Sequence, residues 1–297
     1  MSILPPRVVF VTRETDYELL VAHHATRDQA RFFLEQRGQR IEDVEQRHCQ
    51  LHLALGEARA AVPADWRQAL VRRGDLDRFL FASDDVIVAV GQDGLVANVA
   101  KYLDAQPVIG INPAPQLYDG VLVRLPVSRL AALLPASVAG AAVIERRTMV
   151  SAILDNGETL TALNEIFVGH RSHQSARYRI AADGDAEEHS SSGLIVASGT
   201  GATGWARSIA EATHMSLTLG HEERAVGFWV REPFPSLATT TRLRGGKLTD
   251  GGLDVTSHMN DGGVIFADGI EQDFIAFDWG RRVRLDVAQR TLRLVIG

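Results

Sequence analysis

The first half of the chain alternates short apolar runs with amphipathic segments. Apolar runs at residues 7–11, 85–90 and 107–111 predict buried β-strands. Residues 96–103, between the last two runs, have a helical pattern. Strand, loop, helix and strand within this length are typical of a parallel α/β sheet. The first half is therefore predicted to be an α/β domain.

Further helices are predicted around these strands. Residues 15–18 read Thr-Asp-Tyr-Glu, a capping box that opens a helix expected to reach about Gly38. His48 lies on the apolar stripe of the next helix, where we expect a half-buried packing residue rather than a ligand. Helical segments are also expected over residues 63–66 and 128–139. The apolar stripe on which His48 lies has three- and four-residue steps and consists of Ile41, Val44, Leu51, Leu55 and Ala58.

The pattern changes near Ile144. Beyond it, turn dipeptides such as Asn156-Gly157, Asp183-Gly184 and Asp268-Gly269 separate short alternating segments. Turn pairs at this density predict β-hairpins. The acidic run over residues 183–188 is expected to be a solvated hairpin loop.

These patterns predict two domains, an α/β domain over residues 1–143 and a β-rich domain over residues 144–297. They leave open whether the last residues of the β-rich domain pack back on the first domain. The formal net charge of -6 argues against general binding to nucleic acid or acidic membranes. Cys49 is the only cysteine, which excludes an intramolecular disulfide and a zinc-thiolate cluster. With no signal-peptide pattern and no apolar segment long enough to span a bilayer, we expect a cytoplasmic protein without a nucleic-acid or membrane partner.

A glycine-rich stretch stands out in the second half. The apolar residues 194–196 lead into Ser-Gly-Thr-Gly-Ala-Thr-Gly at residues 198–204, and a helical segment follows from Trp205. Such a loop lets backbone N–H groups approach a phosphate or a ribose. Its literal Gly-x-Gly-x-x-Gly spacing allows a Rossmann interpretation, with Glu222 or Glu223 as the ribose acid, but that fold needs a βαβ unit where the pattern indicates hairpins. A purely structural glycine turn is the third interpretation.

Three stretches in order carry a family resemblance: GQDG at residues 91–94, LNEIF at residues 163–167 and SGTGATGW at residues 198–205. Together they resemble the motifs of the NAD kinases of the diacylglycerol-kinase-like superfamily. More narrowly, the Thr-x-Tyr-Glu start and the Arg-Glu-Pro segment at residues 231–233 resemble the mitochondrial-type branch and its bacterial relatives. The resemblance implies a Rossmann-like N-terminal α/β domain and a β-rich C-terminal domain, with the active site between them.

The resemblance also implies a reaction and its residues. ATP, with Mg²⁺, or polyphosphate in some members, phosphorylates the 2′-hydroxyl of the adenosine ribose of NAD, and no metal is expected on the protein itself. Asp93 matches the catalytic aspartate that orients and deprotonates this hydroxyl. The remaining positions match residues that bind the nucleotides: Gly91, Gln92, Gly94, Asn164, Glu165, Ser198, Thr200, Gly201, Thr203, Gly204 and Trp205.

Two positions depart from the family motif. Gln92 and Leu95 stand where the family has glycine and threonine, so the loop loses a free backbone position and a hydroxyl. This leaves an alternative, a dinucleotide-binding module with lost or altered phosphoryl transfer. A lipid or other small-molecule kinase and a Rossmann oxidoreductase are further alternatives. A homodimer is expected, with the stripe over residues 41–58 covered by a partner helix.

Overall fold

The structure is a computed structural model that describes residues 4–117, 120–237, 239, 241–249 and 251–297. The chain divides into two compact units. The first is Met1–Glu145 together with Arg293–Gly297, and the second is Arg146–Leu292.

The first unit is a parallel sheet with helices. Its strands are β1 (Arg7–Thr12), β2 (Arg67–Arg72), β3 (Val86–Val90) and β4 (Pro107–Ile111). Its helices are α1 (Asp16–His24), α2 (Arg27–Glu35), α3 (Ile41–Ala60), α4 (Asp93–Ala100) and α5 (Leu130–Val138). The strands lie in the order β2, β1, β3, β4, and every pair is parallel. The three strands predicted from the apolar runs are confirmed.

The order of these strands creates a switch point. The chain passes from β1 to β2 on one side and then to β3 on the other, so β1 has a neighbour on both sides. In open parallel sheets, ligands bind in the crevice outside the carboxyl ends of the strands at such a point. The segments that follow β1 and β3 therefore occupy the expected position of a site in this unit.

The apolar stripe of α3 is buried within the first unit. Leu51, Leu55 and Ala58 pack in a core with residues of β1 and β3, while Ile41 and Val44 pack against α2. The expectation that a partner helix covers this stripe is therefore wrong, because the same chain covers it.

Two other local expectations in the first unit are wrong. The helix that starts at the capping box ends at His24, because Ala25 adopts a left-handed φ of 64° and Thr26 caps α2 with its own side chain. Residues 63–66, predicted as helical, instead form a turn that leads into β2. β2 pairs with β1 along its whole length, from Arg7 opposite Arg67 onward.

The second unit is built from two antiparallel sheets. Its elements are β5 (Ile144–Leu154), β6 (Thr159–Ala162), β7 (Glu165–His170), β8 (Ala176–Ala182), β9 (Asp185–Ser191), β10 (Leu194–Ala197), α6 (Trp205–Thr213), β11 (Val226–Val230), β12 (Gly245–Leu248), β13 (Leu253–Ser257), β14 (Gly263–Ala267), β15 (Ile275–Ala276) and β16 (Arg282–Val295). One sheet runs β16, β13, β8, β9, with β5 pairing both β16 and β6. The other runs β12, β11, β10, β7, β14, β15. The predicted α/β plus β fold class is confirmed.

The second unit buries its core between these sheets. Tyr178 and Val255 of the first sheet share one hydrophobic cluster with Ile166, Val196 and Phe228 of the second. The opposite face of the second sheet is covered by α6, through Ala206 and Ile209. The second sheet is therefore apolar on both faces.

The glycine-rich loop leaves β10, which pairs in antiparallel fashion with both β7 and β11. A classical Rossmann loop follows a parallel strand of a βαβ unit, so this alternative is excluded. The predicted turn at Asp183-Gly184 is confirmed, with φ of 51° and 87°. The expectation of a solvated loop over residues 183–188 is wrong, because β9 starts at Asp185 and buries Glu187.

The last residues of β16 belong to the first unit. Arg293 and Leu294 pair in parallel with Pro107 and Val108 of β4. Within the described residues, no helix is long and apolar enough to cross a membrane.

Candidate functional site

Asp93 begins α4 directly after the loop that leaves β3. The N-cap is Gln92, so Asp93 does not cap this helix. Its carboxylate instead accepts three backbone N–H bonds, from Val121 at 2.8 Å, Leu122 at 2.8 Å and Val123 at 3.0 Å. Because an ionised carboxylate offers about four lone-pair sites, one site is left for a further donor.

The two glycines beside Asp93 differ in their surroundings. A Cβ on Gly91 would lie 3.2 Å from Leu95 Cδ2, whereas a Cβ on Gly94 would meet no described atom within 4 Å. Gly94 is exposed at the start of α4, where free N–H groups point outward. Packing within the described residues therefore does not require a glycine at position 94, and its open side is available to a ligand.

The two departures from the family motif lie in different environments. Leu95 is 3% exposed and packs beneath Gly91, so position 95 does not face the solvent. Gln92 is half-buried and lines a pocket. Of the two departures, only Gln92 therefore lies where a ligand of this unit would meet it.

This pocket, of about 60 Å³, lies at the switch point of the first unit. Arg13 and Thr15 reach it from the segment after β1, Arg47 and His48 reach it from α3, and Gln92 reaches it from the loop after β3. Among the described residues, neither arginine forms an ion pair, although the exposed Asp16 is also part of the lining. Two unpaired guanidinium groups beside a helix N-terminus favour a phosphate ligand.

Sequence reasoning missed both arginines. The arginine after β1 had a usable signal, because it directly follows a buried strand next to the switch point. Arg47 had none, because the packing of α3 on the sheet decides which of its exposed residues lies near the loop.

In the second unit, hydrogen bonds join the Asn-Glu motif to the glycine-rich loop. Ser198 donates its backbone N–H to the carbonyl of Asn164 at 2.9 Å and its hydroxyl to the carbonyl of Leu163 at 2.5 Å. The same hydroxyl accepts the N–H groups of Thr200 and Gly201. A Cβ on Gly201 would lie 2.0 Å from the Asn164 carbonyl oxygen, so only glycine allows this approach.

Asp268 holds the same region from the other side. Its carboxylate accepts the N–H of Asn164 at 2.7 Å and the N–H of Leu163 at 3.1 Å. The residue lies in a turn with φ of 51°, a left-handed conformation that aspartate tolerates better than most residues. Sequence reasoning noted Asp268-Gly269 as a turn but not this contact.

Glu165 is the first residue of β7 and is 8% exposed. Within the described chain, no group donates a hydrogen bond to its carboxylate. Burial, together with the nearby charge of Asp268, raises the pKa of Glu165 to about 7. A buried carboxylate without a donor costs stability, and such groups are enriched in functional sites.

The glycine-rich loop continues from buried to exposed residues. Thr200 is 4% exposed, and its hydroxyl accepts a hydrogen bond at 3.1 Å from Arg147, a fully buried arginine that sequence reasoning missed. Thr203 and Gly204 are exposed. Trp205 is half-buried, stacks on Phe167 with centroids 5.8 Å apart, and lies under the guanidinium of Arg231 at 5.2 Å.

The predicted site residues thus form one group in each unit. Gly91, Gln92, Asp93 and Gly94 lie in the loop after β3 and the first turn of α4 in the first unit. The group in the second unit lies at the start of β7, in the loops beside β7 and β10 and at the start of α6, and consists of Asn164, Glu165, Ser198, Thr200, Gly201, Thr203, Gly204 and Trp205.

Comparisons with known proteins define the class of this fold. A yeast NADH kinase, solved as a complex with NADH, superposes with a TM-score of 0.61 at 15% identity, over 99% of this chain and 84% of that protein. An NAD kinase from Archaeoglobus fulgidus, solved in complex with ATP, gives a TM-score of 0.59 at 18% identity, over 98% of this chain and 93% of that protein. The fold is that of the NAD(H) kinases.

Sequence similarity covers a shorter segment. The chain is 33% identical over 135 residues to an NAD kinase of Burkholderia pseudomallei and 28% identical over 127 residues to one of Chlorobaculum tepidum. These matches cover 43% and 42% of this chain, and the chain spans 44% of the length of each relative. No family model matches the sequence. The chain is thus similar to NAD kinases in fold and, over part of its length, in sequence, and neither similarity singles out the mitochondrial-type branch.

Proposed function

We propose that the protein is an NAD kinase, which transfers the γ-phosphoryl group of ATP to the 2′-hydroxyl of the adenosine ribose of NAD. The hydroxyl oxygen bonds to the γ-phosphorus, the bond from this phosphorus to the β–γ bridging oxygen breaks, and the hydroxyl proton passes to a carboxylate. The products are NADP and ADP. MgATP is the substrate, because Mg²⁺ binds mainly through the phosphates.

One observation carries the proposal. The Asn-Glu motif and the glycine-rich loop lie far apart in sequence, yet Ser198 joins them by hydrogen bonds beside the buried, donor-free Glu165. A buried carboxylate that receives no hydrogen bond from the described chain has its lone pairs available to ribose hydroxyls of the dinucleotide. The exposure of Thr203 and Gly204 supports contact with the same ligand.

The first unit supplies the phosphate side of the proposal. Arg13 and Arg47 bind phosphate groups of the donor at the switch point, since both are cationic and unpaired among the described residues. Asp93 uses its remaining lone-pair site to orient the attacking hydroxyl and accept its proton. The hydrogen bonds that hold its carboxylate keep it in one orientation.

A coupled assay tests the activity. The protein is incubated with NAD, Mg²⁺ and ATP, and NADP is read through an NADP-specific dehydrogenase. Turnover within the range of about 1–100 s⁻¹ that is common for kinases is expected. NAD binding in calorimetry, with no NADP formed from ATP or from polyphosphate, would instead identify a binding module.

Two pairs of variants test the residue roles. Asp93→Asn should lower kcat by roughly 10²–10⁴-fold, while Asp65→Asn, an exposed acid, serves as the control. Arg13→Ala and Arg47→Ala should raise KM for ATP, with the exposed Arg129→Ala as their control. An unchanged kcat in Asp93→Asn would remove that residue from the mechanism.

Three finer expectations accompany the proposal. The donor is ATP, and a parallel assay with polyphosphate compares the two. A homodimer would appear in sedimentation equilibrium, although the stripe of α3 no longer supports it. A cytoplasmic location fits the single cysteine, Cys49, and would be read from cell fractionation.

A further inference from the structure

Three side chains with metal-binding atoms converge beside the pocket of the first unit, and one of them, His48, also lines this pocket. Glu18 comes from α1, while His48 and His52 lie four residues apart on α3. Positions four apart are neighbours on a helix surface, and the two imidazole centroids are 4.3 Å apart. Each of the three residues offers one ligand atom, and these atoms all lie within 4.8 Å of one another.

Thr15 determines how two of these groups are presented. Its hydroxyl lies 3.1 Å from Glu18 Oε2 and 2.8 Å from His48 Nδ1. In the tautomer with its proton on Nδ1, His48 donates to the hydroxyl oxygen, and the hydroxyl proton goes to Glu18, which only accepts. In this tautomer the lone pair of His48 is on Nε2, which is the atom left available to a metal.

This arrangement matches the environment of metal-bound histidines. A ligating histidine usually donates its other ring N–H to an oxygen, which fixes the tautomer and the ring orientation. The two carboxylate oxygens of Glu18 also have different contacts. Oε2 accepts the backbone N–H of Thr15 at 2.8 Å, while Oε1 faces His52 Nε2 at 3.7 Å. One oxygen holds the side chain in place, and the other points into the cluster.

The donor set selects the kind of metal. Two imidazoles and one carboxylate suit Zn²⁺, and Mg²⁺ and Ca²⁺ prefer oxygen-only ligands. Tetrahedral zinc with bonds of about 2.0–2.1 Å needs ligand atoms roughly 3.4 Å apart, so the most widely separated of these atoms close in by at most about 1.4 Å on binding. The side chain of His52 is 51% exposed and can rotate without disturbing the core.

From this geometry we propose that Glu18, His48 and His52 form a binding site for a zinc ion, with water as the fourth ligand. The ion links α1 to α3. This proposal departs from the expectation from sequence that His48 is only a packing residue and that the protein itself holds no metal. The proposed ion differs from the Mg²⁺ that accompanies ATP, because two of its four ligands are imidazole nitrogens.

Zinc titration of the metal-stripped full-length protein tests the site. Competition with a chromophoric chelator should show that the parent binds one zinc ion per chain tightly. Zinc binding should be at least about tenfold weaker in Glu18→Gln and His52→Asn. Cys49→Ser and His23→Asn, two changes at exposed residues nearby, should bind as the parent does. Excess Mg²⁺ should not compete.

Two further readouts make the test decisive. X-ray absorption at the zinc edge should show nitrogen and oxygen ligands without sulfur, and zinc should raise the melting temperature of the parent but not of His52→Asn. Circular dichroism of each variant verifies that it is folded, and His52→Gln replaces His52→Asn if needed. Zinc binding that survives loss of His52, a sulfur ligand, or the absence of a saturable site would each overturn the proposal.

Discussion

The second unit buries two glutamates in opposite ways. Glu187 on β9 is 5% exposed and accepts the backbone N–H groups of Arg242 and Leu243, the Arg242 guanidinium at 2.8 Å and His189 Nε2 at 3.1 Å. Glu165 on β7 is 8% exposed and receives no hydrogen bond from any described group. The first acid therefore stabilises the fold, and the second lowers its stability while remaining available to a ligand.

The largest effect on stability is expected at Glu187, the glutamate whose carboxylate accepts several hydrogen bonds. Glu187→Ala leaves two backbone N–H groups and a buried histidine without their acceptor, and should destabilise the protein by about 3–5 kcal/mol. Denaturant unfolding measures this change. The adjacent Glu188→Ala is the control, because its side chain is 47% exposed and its pairing with His258 is worth under about 1 kcal/mol. Equal losses in both variants would contradict the contrast.

The opposite change in stability is expected when Glu165 is replaced. Replacing it with glutamine removes a buried charge, so Glu165→Gln should stabilise the protein at pH 8 by about 2 kcal/mol. The same change should weaken NAD binding by roughly tenfold or more, because a charged acceptor is lost. Thermal unfolding and calorimetry measure the two effects. A variant that is less stable at pH 8 would show that the carboxylate has a structural role.

The pH dependence sharpens this prediction. The pKa of Glu165 is about 7 in the folded protein against 4.5 ordinarily, so the folded state binds more protons between these values. The unfavourable contribution is absent below pH 4.5, grows as pH rises through this window and is complete above pH 7, where it corresponds to roughly 3 kcal/mol. The stability difference between Glu165→Gln and the parent should therefore be smaller at pH 5 than at pH 8. A constant difference would place the pKa elsewhere.

The smallest effect is expected from the neighbouring charge. Asp268→Asn removes the negative charge that helps to raise the pKa of Glu165, and burial, the larger cause, remains. The pKa of Glu165 should fall but stay above its ordinary value. Carbon-detected NMR titration of the Glu165 carboxyl carbon measures it, with Asp273→Asn, an exposed acid, as the control. A pKa unaffected by the change would remove Asp268 as a cause.

Local signals explain what could be predicted from the sequence. The capping box at Thr15 and the apolar run of β4 act over a few residues, and both are confirmed. β2 has alternating burial and gains its place by pairing with β1, so its own residues carry little signal. The break at Ala25 was invisible, because alanine gives no indication of a left-handed φ.

For the candidate site, too, the sequence predicted which residues are involved but not their surroundings. The motifs identified Asp93 and Glu165 as candidates, since their residue types and spacing are visible in the sequence. Their environments were not visible, because the donors to Asp93 lie about thirty residues later and the burial of Glu165 depends on how sheets pack. Glu187 was misjudged for this reason: an acidic run looks solvated until its partners are known.

The pairing of Arg293 and Leu294 with β4 has a consequence for synthesis on the ribosome. When a nascent chain has emerged as far as Glu145, it carries β1 to β4 and Leu125, which bridges Ile111 at the end of β4, but not the residues that pair with Pro107 and Val108. The start of this edge stays open until the whole second unit has been translated, and an open strand edge is a template for pairing with other chains. The first unit is thus begun first and completed last, and the start of its β4 edge is exposed while the second unit is translated.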